Sequence, residues 1–289
     1  MTQLTHENCD QKILASPCAD WRTLEDVHIS TDLGRIHVQV SGSGTPIVFW
    51  SSLLMDGSMW TAQEKHFADR YQVVLVDPPG HGQSDPLTEL FTFDECARCV
   101  TQILDGIGAE RAHFVGNSWG GMIGGTLAAH YPSRVISAVL MNCTGSPAPR
   151  AQKIEYGLLR HISRVIGMRG PLVKSAVDAF TGPTTRCSRP EVVARIDQAI
   201  RRIDVRSTGR AVTSVVPRRP NQLPLFKQIS VPVLVVAGAQ DATFPVAETK
   251  AMADAIPGAK FVVLPDTAHL AGLENPDEVN ALIDDFLTG

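Results

Sequence analysis

No uninterrupted apolar stretch in this chain approaches the roughly 18–20 residues that span a bilayer, so no membrane-crossing helix and no membrane partner are expected. The first residues, Met1 to Asn8, lack the basic start and apolar run of a secretory leader, which makes the cytoplasm the expected location. Charge of one sign is also lacking. A formal net charge of −4 gives no electrostatic footprint for a nucleic-acid partner. The six cysteines, at positions 9, 18, 96, 99, 143 and 187, are scattered too widely for a disulfide framework. Cys96 and Cys99 form a C-x-x-C inside an expected helix, but no ligand or redox partner lies nearby in sequence, so they read as free helix thiols. No His, Asp, Glu or Cys cluster has metal-ligand spacing, and neither a metal nor an organic cofactor is implied.

What is present is an ordinary globular composition, 44 % hydrophobic and 19 % charged, over 289 residues. That length suits one large α/β domain, or a core with a subsidiary unit. Residues 1–25 are polar and unpatterned and read as an N-terminal extension. Val27 to Ser30 and Arg35 to Val40 alternate like a hairpin turning at Asp32-Leu33-Gly34. Short, nearly all-apolar runs follow at Pro46 to Trp50, Tyr71 to Val76, Ala112 to Val115, Val135 to Met141, Pro232 to Ala237 and Lys260 to Leu264. Strands buried on both faces look like this. Helical patterns lie between them at Met59 to Phe67, Phe93 to Ile107, Trp119 to Tyr131, Val246 to Ala255 and Asp277 to Leu287. The alternation predicts a mostly parallel sheet of about eight strands with right-handed crossovers. It breaks over 146–225, where only helical patches appear: Ile154 to Ile166, Leu172 to Phe180 and Pro190 to Ile203. The expected organisation is a core of 26–145 and 226–289, with 146–225 as a helical cap over the sheet's carboxyl edge, where open α/β sheets bind ligands.

Gly116-Asn117-Ser118-Trp119-Gly120 fits G-x-S-x-G, entered from the apolar run His113-Phe114-Val115 and left through the helix-forming run Met122 to Ala129. That context is the strand–turn–helix of a nucleophile elbow. Side chains at 116 and 120 would collide with neighbouring backbone in so tight a turn. The turn lifts a serine hydroxyl clear of the sheet, above a helix N-terminus that favours developing negative charge.

A serine hydroxyl needs a base to take its proton. Of nine histidines, His269 lies just past the last apolar strand, where a loop can reach the elbow. His81 sits in the Gly/Pro turn Pro78-Pro79-Gly80-His81-Gly82 and reads as structural. The imidazole needs a carboxylate to fix its tautomer. Asp241, after the preceding strand, is the candidate. The position after the earlier strand reads Met141-Asn142-Cys143-Thr144, without a carboxylate, and Asp266 is too close along the chain to face His269. For the oxyanion, two backbone N–H groups are required. Trp119, following the nucleophile, and Leu53, in the loop Ser51 to Asp56, are the candidates. Ser52, Asn117 and Met122 are the expected substrate contacts, and Trp50 and Trp60 the expected core tryptophans.

These motifs resemble the α/β-hydrolase superfamily over nearly the whole chain outside the first 25 residues and the cap. Ser51-Ser52-Leu53-Leu54-Met55-Asp56 with Met59-Trp60 is similar to the corresponding loop of 3-oxoadipate enol-lactonases. So is the block Val233 to Leu287, with Ala268-His269-Leu270 and Glu274-Asn275-Pro276. The elbow Gly-Asn-Ser-Trp-Gly-Gly is instead more similar to that of meta-cleavage-product hydrolases, which break C–C bonds. The resemblance implies an α/β-hydrolase fold and a serine esterase or lactonase acting through an acyl-enzyme. The alternatives are a C–C hydrolase of a vinylogous diketone and a non-enzymatic binder that kept the fold. Residues 146–230 carry 16 Arg and Lys against 5 Asp and Glu, leaving −15 for the rest. A basic cap over an acidic core suits either steering of an anionic small molecule or a solvated helical surface. The sequence carries no signal for or against a homo-oligomer.

Overall fold

A computed structural model describes residues 25–289, the side chains of residues 160, 163 and 166 excepted; the expected N-terminal extension lies outside the described residues. Eight strands form one sheet: β1 (Glu25–Thr31), β2 (Gly34–Ser41), β3 (Pro46–Trp50), β4 (Gln72–Val76), β5 (Ala112–Asn117), β6 (Val135–Met141), β7 (Val233–Gly238) and β8 (Lys260–Leu264). Their spatial order is β1-β2-β4-β3-β5-β6-β7-β8. The hairpin partners β1 and β2, and β2 with β4, pair antiparallel; every other pair is parallel. This is the eight-stranded, mostly parallel sheet expected of an α/β-hydrolase fold.

The helices are α1 (Thr61–Phe67), α2 (Phe93–Gly106), α3 (Trp119–His130), α4 (Arg150–Ile166), α5 (Pro171–Phe180), α6 (Pro183–Ser188), α7 (Pro190–Arg202), α8 (Val205–Val215), α9 (Leu223–Phe226), α10 (Val246–Ala255), α11 (Ala271–Glu274) and α12 (Pro276–Thr288). They cover both faces of the sheet, because side chains alternate along each strand. In β3, Val48 and Trp50 join the layer of α2, α3 and α10, while Ile47 and Phe49 join that of α1 and α12. Helix α2 begins at a capping box: the Thr92 hydroxyl accepts from Glu95 N–H and the Glu95 carboxylate accepts from Thr92 N–H. Helix α3 is buried all round from Trp119 to Ala128, as its almost wholly apolar sequence requires. Among the described residues, no helix is long and apolar enough to cross a membrane.

Two expectations are corrected. Strand β8 was read as buried on both faces, but it is the sheet's edge, paired only with β7, and Val263 is exposed. Between β6 and β7 the chain contains α6, α8 and α9 besides the three helices anticipated. Helix α8 starts at Asp204, whose carboxylate accepts from Arg206 and Ser207 N–H and substitutes for a strong apolar start signal.

The topology positions the site. From β3 the chain moves one way to β4 and later returns to the other side of β3 as β5. The carboxyl ends of β3 and β5 therefore flank a switch point, where loops diverge and leave a crevice.

Candidate active site

Ser118 sits where β5 meets α3, with φ 56° and ψ −114°, a conformation that side chains rarely adopt. The elbow is held from both sides. Ser118 N–H donates to Met141 O on β6 at 2.8 Å, and Met122 N–H donates to Ser118 O at 3.1 Å. A Cβ at Gly116 would stand 2.3 Å from the Gly120 backbone, and one at Gly120 would stand 2.4 Å from Trp50 O. Among the described residues, the non-glycine residues with positive φ are Leu54, Ser118 and Asn142, on the loops after β3, β5 and β6. Backbone strain is thus concentrated at this edge of the sheet.

Ser118 Oγ lies 2.9 Å from His269 Nε2, and His269 Nδ1 lies 2.9 Å from Asp241 Oδ2. All three side chains are buried. With Nδ1–H donating to the carboxylate, Nε2 is left to accept the serine proton. Asp241 is itself fixed: Oδ1 accepts from Thr243 N–H at 2.8 Å and Phe244 N–H at 3.1 Å, and Oδ2 accepts from Asn142 Nδ2 at 3.1 Å. The His269 ring lies between Phe180, stacked at 5.2 Å and 17°, and Phe244 at 5.6 Å. Asp266 is exposed and turned to Thr184, away from the imidazole.

The loop that carries His269 is anchored by Glu274. Its carboxylate accepts from Leu270 N–H at 2.9 Å, Ala268 N–H at 3.3 Å and the Thr185 hydroxyl of α6. Burial raises the Glu274 pKa against the pull of these hydrogen bonds.

Leu53 and Trp119 stand on the two loops that meet above the switch point. Among the described residues, no acceptor takes the N–H of either. Trp119 is the first residue of α3, so its free N–H is a consequence of helix geometry. Next to Leu53, Leu54 N–H donates to His81 Nε2 at 3.1 Å, and His81 Nδ1–H donates to Pro79 O at 3.1 Å. Both ring nitrogens of His81 are thereby used in its neutral form, and burial lowers its pKa in agreement. Met55 N–H to Ser52 O and Gly57 N–H to Asp77 Oδ1 complete the frame of this loop.

Of the expected substrate contacts, Met122 lines the cavity of about 60 Å³ into which Ser118 and His269 open. Ser52 and Asn117 do not line it. Asn117 Nδ2 donates to Ser52 Oγ at 2.8 Å and to His269 O at 2.7 Å, so the pair belongs to the frame that joins the three loops. Trp119 underlies the site, stacked on Phe91 at 5.5 Å, and Trp50 and Trp60 are fully buried. Sequence reasoning assigned no role to Asn142, Phe180, Glu274 or Arg219; Asn142 carried a signal in its place at the carboxyl end of β6, and Glu274 in the resemblance of Glu274-Asn275-Pro276. Among the described residues, no group of three or more His, Cys, Asp or Glu side chains is placed to hold a metal ion.

The comparisons agree with this architecture. The model of the alpha/beta hydrolase family matches residues 40–282. The chain is 28 % identical over 238 residues to 3-oxoadipate enol-lactonase 2 of Acinetobacter baylyi, covering 82 % of this chain and 86 % of that protein. It is 30 % identical over 222 residues to a 2-hydroxy-6-oxononadienedioate/2-hydroxy-6-oxononatrienedioate hydrolase of Paraburkholderia phymatum, covering 75 % and 76 %. Among solved structures, a thermophilic esterase from Thermogutta terrifontis with malate bound superposes with a TM-score of 0.84 at 27 % identity, covering 91 % of this chain and 98 % of that one.

Proposed function

The chain belongs to the alpha/beta hydrolase family, and within it we propose a serine hydrolase that cleaves a carboxylic ester or lactone of a small molecule through an acyl-enzyme. The observation that carries this reading is the buried line from Ser118 Oγ through the His269 ring to Asp241, with 2.9 Å at each step. Ser118 attacks the carbonyl carbon while its proton passes to His269 Nε2. Asp241 holds the ring and stabilises the imidazolium. The free N–H groups of Leu53 and Trp119 receive the oxyanion, helped by the N-terminus of α3. Collapse of the tetrahedral species expels the alkoxide, which takes the proton from His269. Water, deprotonated by the same ring, then releases the acid. This chemistry calls for no metal or organic cofactor.

In this reading 146–225 acts as the cap, since Gln152, Tyr156, Phe180 and Val212 wall the cavity over Ser118. The partner is a small molecule rather than nucleic acid or a membrane, and the setting is the cytoplasm.

A second reading, C–C hydrolysis of a vinylogous diketone, uses the same three side chains after protonation of a dienol carbon. The Paraburkholderia phymatum relative supports it. Asn117 does not separate the two readings, because its amide is bound within the frame. Lactones, aryl esters and ring-fission products assayed side by side decide between them.

The direct test is a fluorophosphonate probe with variants. The wild type should be labelled and Ser118→Ala should not. Ser118→Ala and His269→Ala should each lose on the order of three decades of turnover or more. A loss under about tenfold in either, on a scale where such groups act as a unit, rejects the assignment.

A further inference from the structure

Arg219 lies shortly after α8 and lines the cavity that Ser118 and His269 open into. It is only 4 % exposed. Its Nε–H donates to Ser146 O at 2.7 Å and its Nη2 to Gln152 Oε1 at 3.3 Å. Its guanidinium carbon stands 5.5 Å from the centre of the Phe244 ring. Both hydrogen-bond partners are neutral. Among the described residues, no carboxylate lies within ion-pair distance of Arg219 and no acceptor takes its Nη1–H groups. Burial lowers its pKa, with the charge of Glu248 acting against that from beyond contact. A guanidinium stays protonated nonetheless.

The basic residues on the surface of the same segment are placed differently. Arg201 is paired with Asp197 and Lys174 with Asp178, each in water. Arg164 and Arg169 are exposed, while the Arg160 side chain is outside the described residues. Arg219 alone among these is both buried and turned to the cavity. Its two neutral contacts fix the plane of the fork and leave one edge unused, which is the geometry that matches a carboxylate. Tyr156 lines the same cavity, and its hydroxyl has no partner among the described residues. Burial and the charge of Glu155 raise the Tyr156 pKa, and the charge of Arg219 across the shared cavity acts against them.

A second cavity of about 200 Å³ adjoins the first and shares Leu54, Tyr156, Phe180 and Val212 with it. Its remaining wall is mostly apolar, including Leu159, Met168 and Leu172. We infer that Arg219, with Tyr156 beside it, recognises a carboxylate carried on the substrate close to the scissile carbonyl, and that the adjoining cavity takes an apolar arm. The small volume around Ser118 requires the anionic group and the reacting bond to be close. The position of the reacting bond rests on the serine-hydrolase reading; the anion site itself does not.

The test pairs an aryl monoester of a short dicarboxylic acid with the methyl-capped diester of the same acid, assayed on wild type, Arg219→Met and Arg219→Lys. Wild type should prefer the charged ester in kcat/KM. In Arg219→Met the charged-to-neutral ratio should fall by about tenfold to a hundredfold, the worth of a charge-assisted hydrogen bond, with KM carrying the change. Arg219→Lys should be intermediate, because it keeps the charge without the fork. An unchanged ratio in Arg219→Met overturns the inference. Calorimetry gives a readout without turnover: glutarate should bind the wild type and glutaramide should not. Equal binding of the two, or none of glutarate, also overturns it, whether or not the Met variant folds. If the fluorophosphonate labels Ser118 while glutarate fails to bind, only the anion site is lost. If glutarate binds and no label is taken up, only the hydrolase reading is lost.

Discussion

Asp241 and Glu274, behind His269, accept four and three hydrogen bonds, whereas Arg219, on the cavity that His269 lines, donates two to neutral groups and meets no carboxylate among the described residues. The acidic groups stand behind the wall built by the sheet and its loops, after β7 and in α11. The arginine belongs to the wall built by the helical segment between β6 and β7. The proposed function would account for the difference. Groups that move a proton or hold an oxyanion act best when their positions are set before the substrate arrives. Groups that recognise a substrate gain selectivity by staying unpaired until the right partner pairs them. The second arrangement has a cost, since a buried charge without a counter-ion opposes folding.

The contrast is broken most severely at a glycine. Alanine at 120 places a Cβ 2.4 Å from a backbone oxygen, which cannot yield. Gly120→Ala should lose about 3 kcal/mol or more by urea denaturation, at the upper end of overpacking costs. The matching change in the helical segment should do the reverse. Gly157, inside α4, has nothing within 4 Å of a built Cβ, so Gly157→Ala should gain about 0.5–1 kcal/mol from helix propensity alone. If both substitutions proved neutral, the two walls would not differ in packing as described.

The same division governs how much was legible in the sequence. Strands β3, β6 and β8 were bounded correctly at both ends; the apolar run of β3 stops at Ser51, that of β6 lies between Arg134 and Asn142, and that of β8 stops at Pro265. The elbow and the His269 loop were legible because each follows such a run, and a strand end fixes where a loop starts. Directions within a loop were not. Ser52 and Asn117 were expected to face the substrate, yet the Asn117 amide donates to Ser52 Oγ and His269 O and ties the three loops together. In the helical segment the signal was weaker still. Helix α8 contains Ser207, Thr208 and Gly209, which mask a helical pattern, and α6 is too short to show a period. Arg219 is one of 16 basic residues between 146 and 230, and what distinguishes it, its burial and its place on the cavity without a counter-ion among the described residues, is visible in the structure alone.

A milder break targets the anchor behind His269. Glu274→Gln keeps the size of the side chain but weakens its hold on the N–H groups of residues 268 and 270. We expect kcat to fall about tenfold with KM little changed, the loss of roughly one charge-assisted hydrogen bond in a positioning role. Thr185→Val removes only the contact from α6, so its effect should be smaller. An unaltered kcat in Glu274→Gln would mean that the loop holds its shape without the carboxylate.

The smallest effect sharpens the comparison within the sheet wall, between histidines of opposite environment. His37 Nδ1 lies 2.8 Å from Asp77 and Nε2 lies 3.0 Å from Asp26, and the hydrogen bond to Asp77 raises its pKa above 6.5. Its contribution to stability is complete below pH 6.5 and is lost as pH rises through the folded pKa. Among the described residues, no carboxylate is in contact with His81 or His113. Burial lowers both, His113 to about 4, helped by the charge of Arg111. In the unfolded chain these two take up protons below pH 6.5 while the folded protein does not, so stability falls as pH drops from about 6.5 toward 4. The two slopes oppose one another and place a maximum between them. Thermal melts from pH 5 to 9 should therefore show a fall on the alkaline side that His37→Asn removes, while the acid-side fall remains. Because Asp77 also accepts from Gly57 N–H, on the loop that carries Leu53, His37→Asn should slightly loosen that loop too. An alkaline slope that survived the substitution would assign it to another group and detach His37 from the frame of the site.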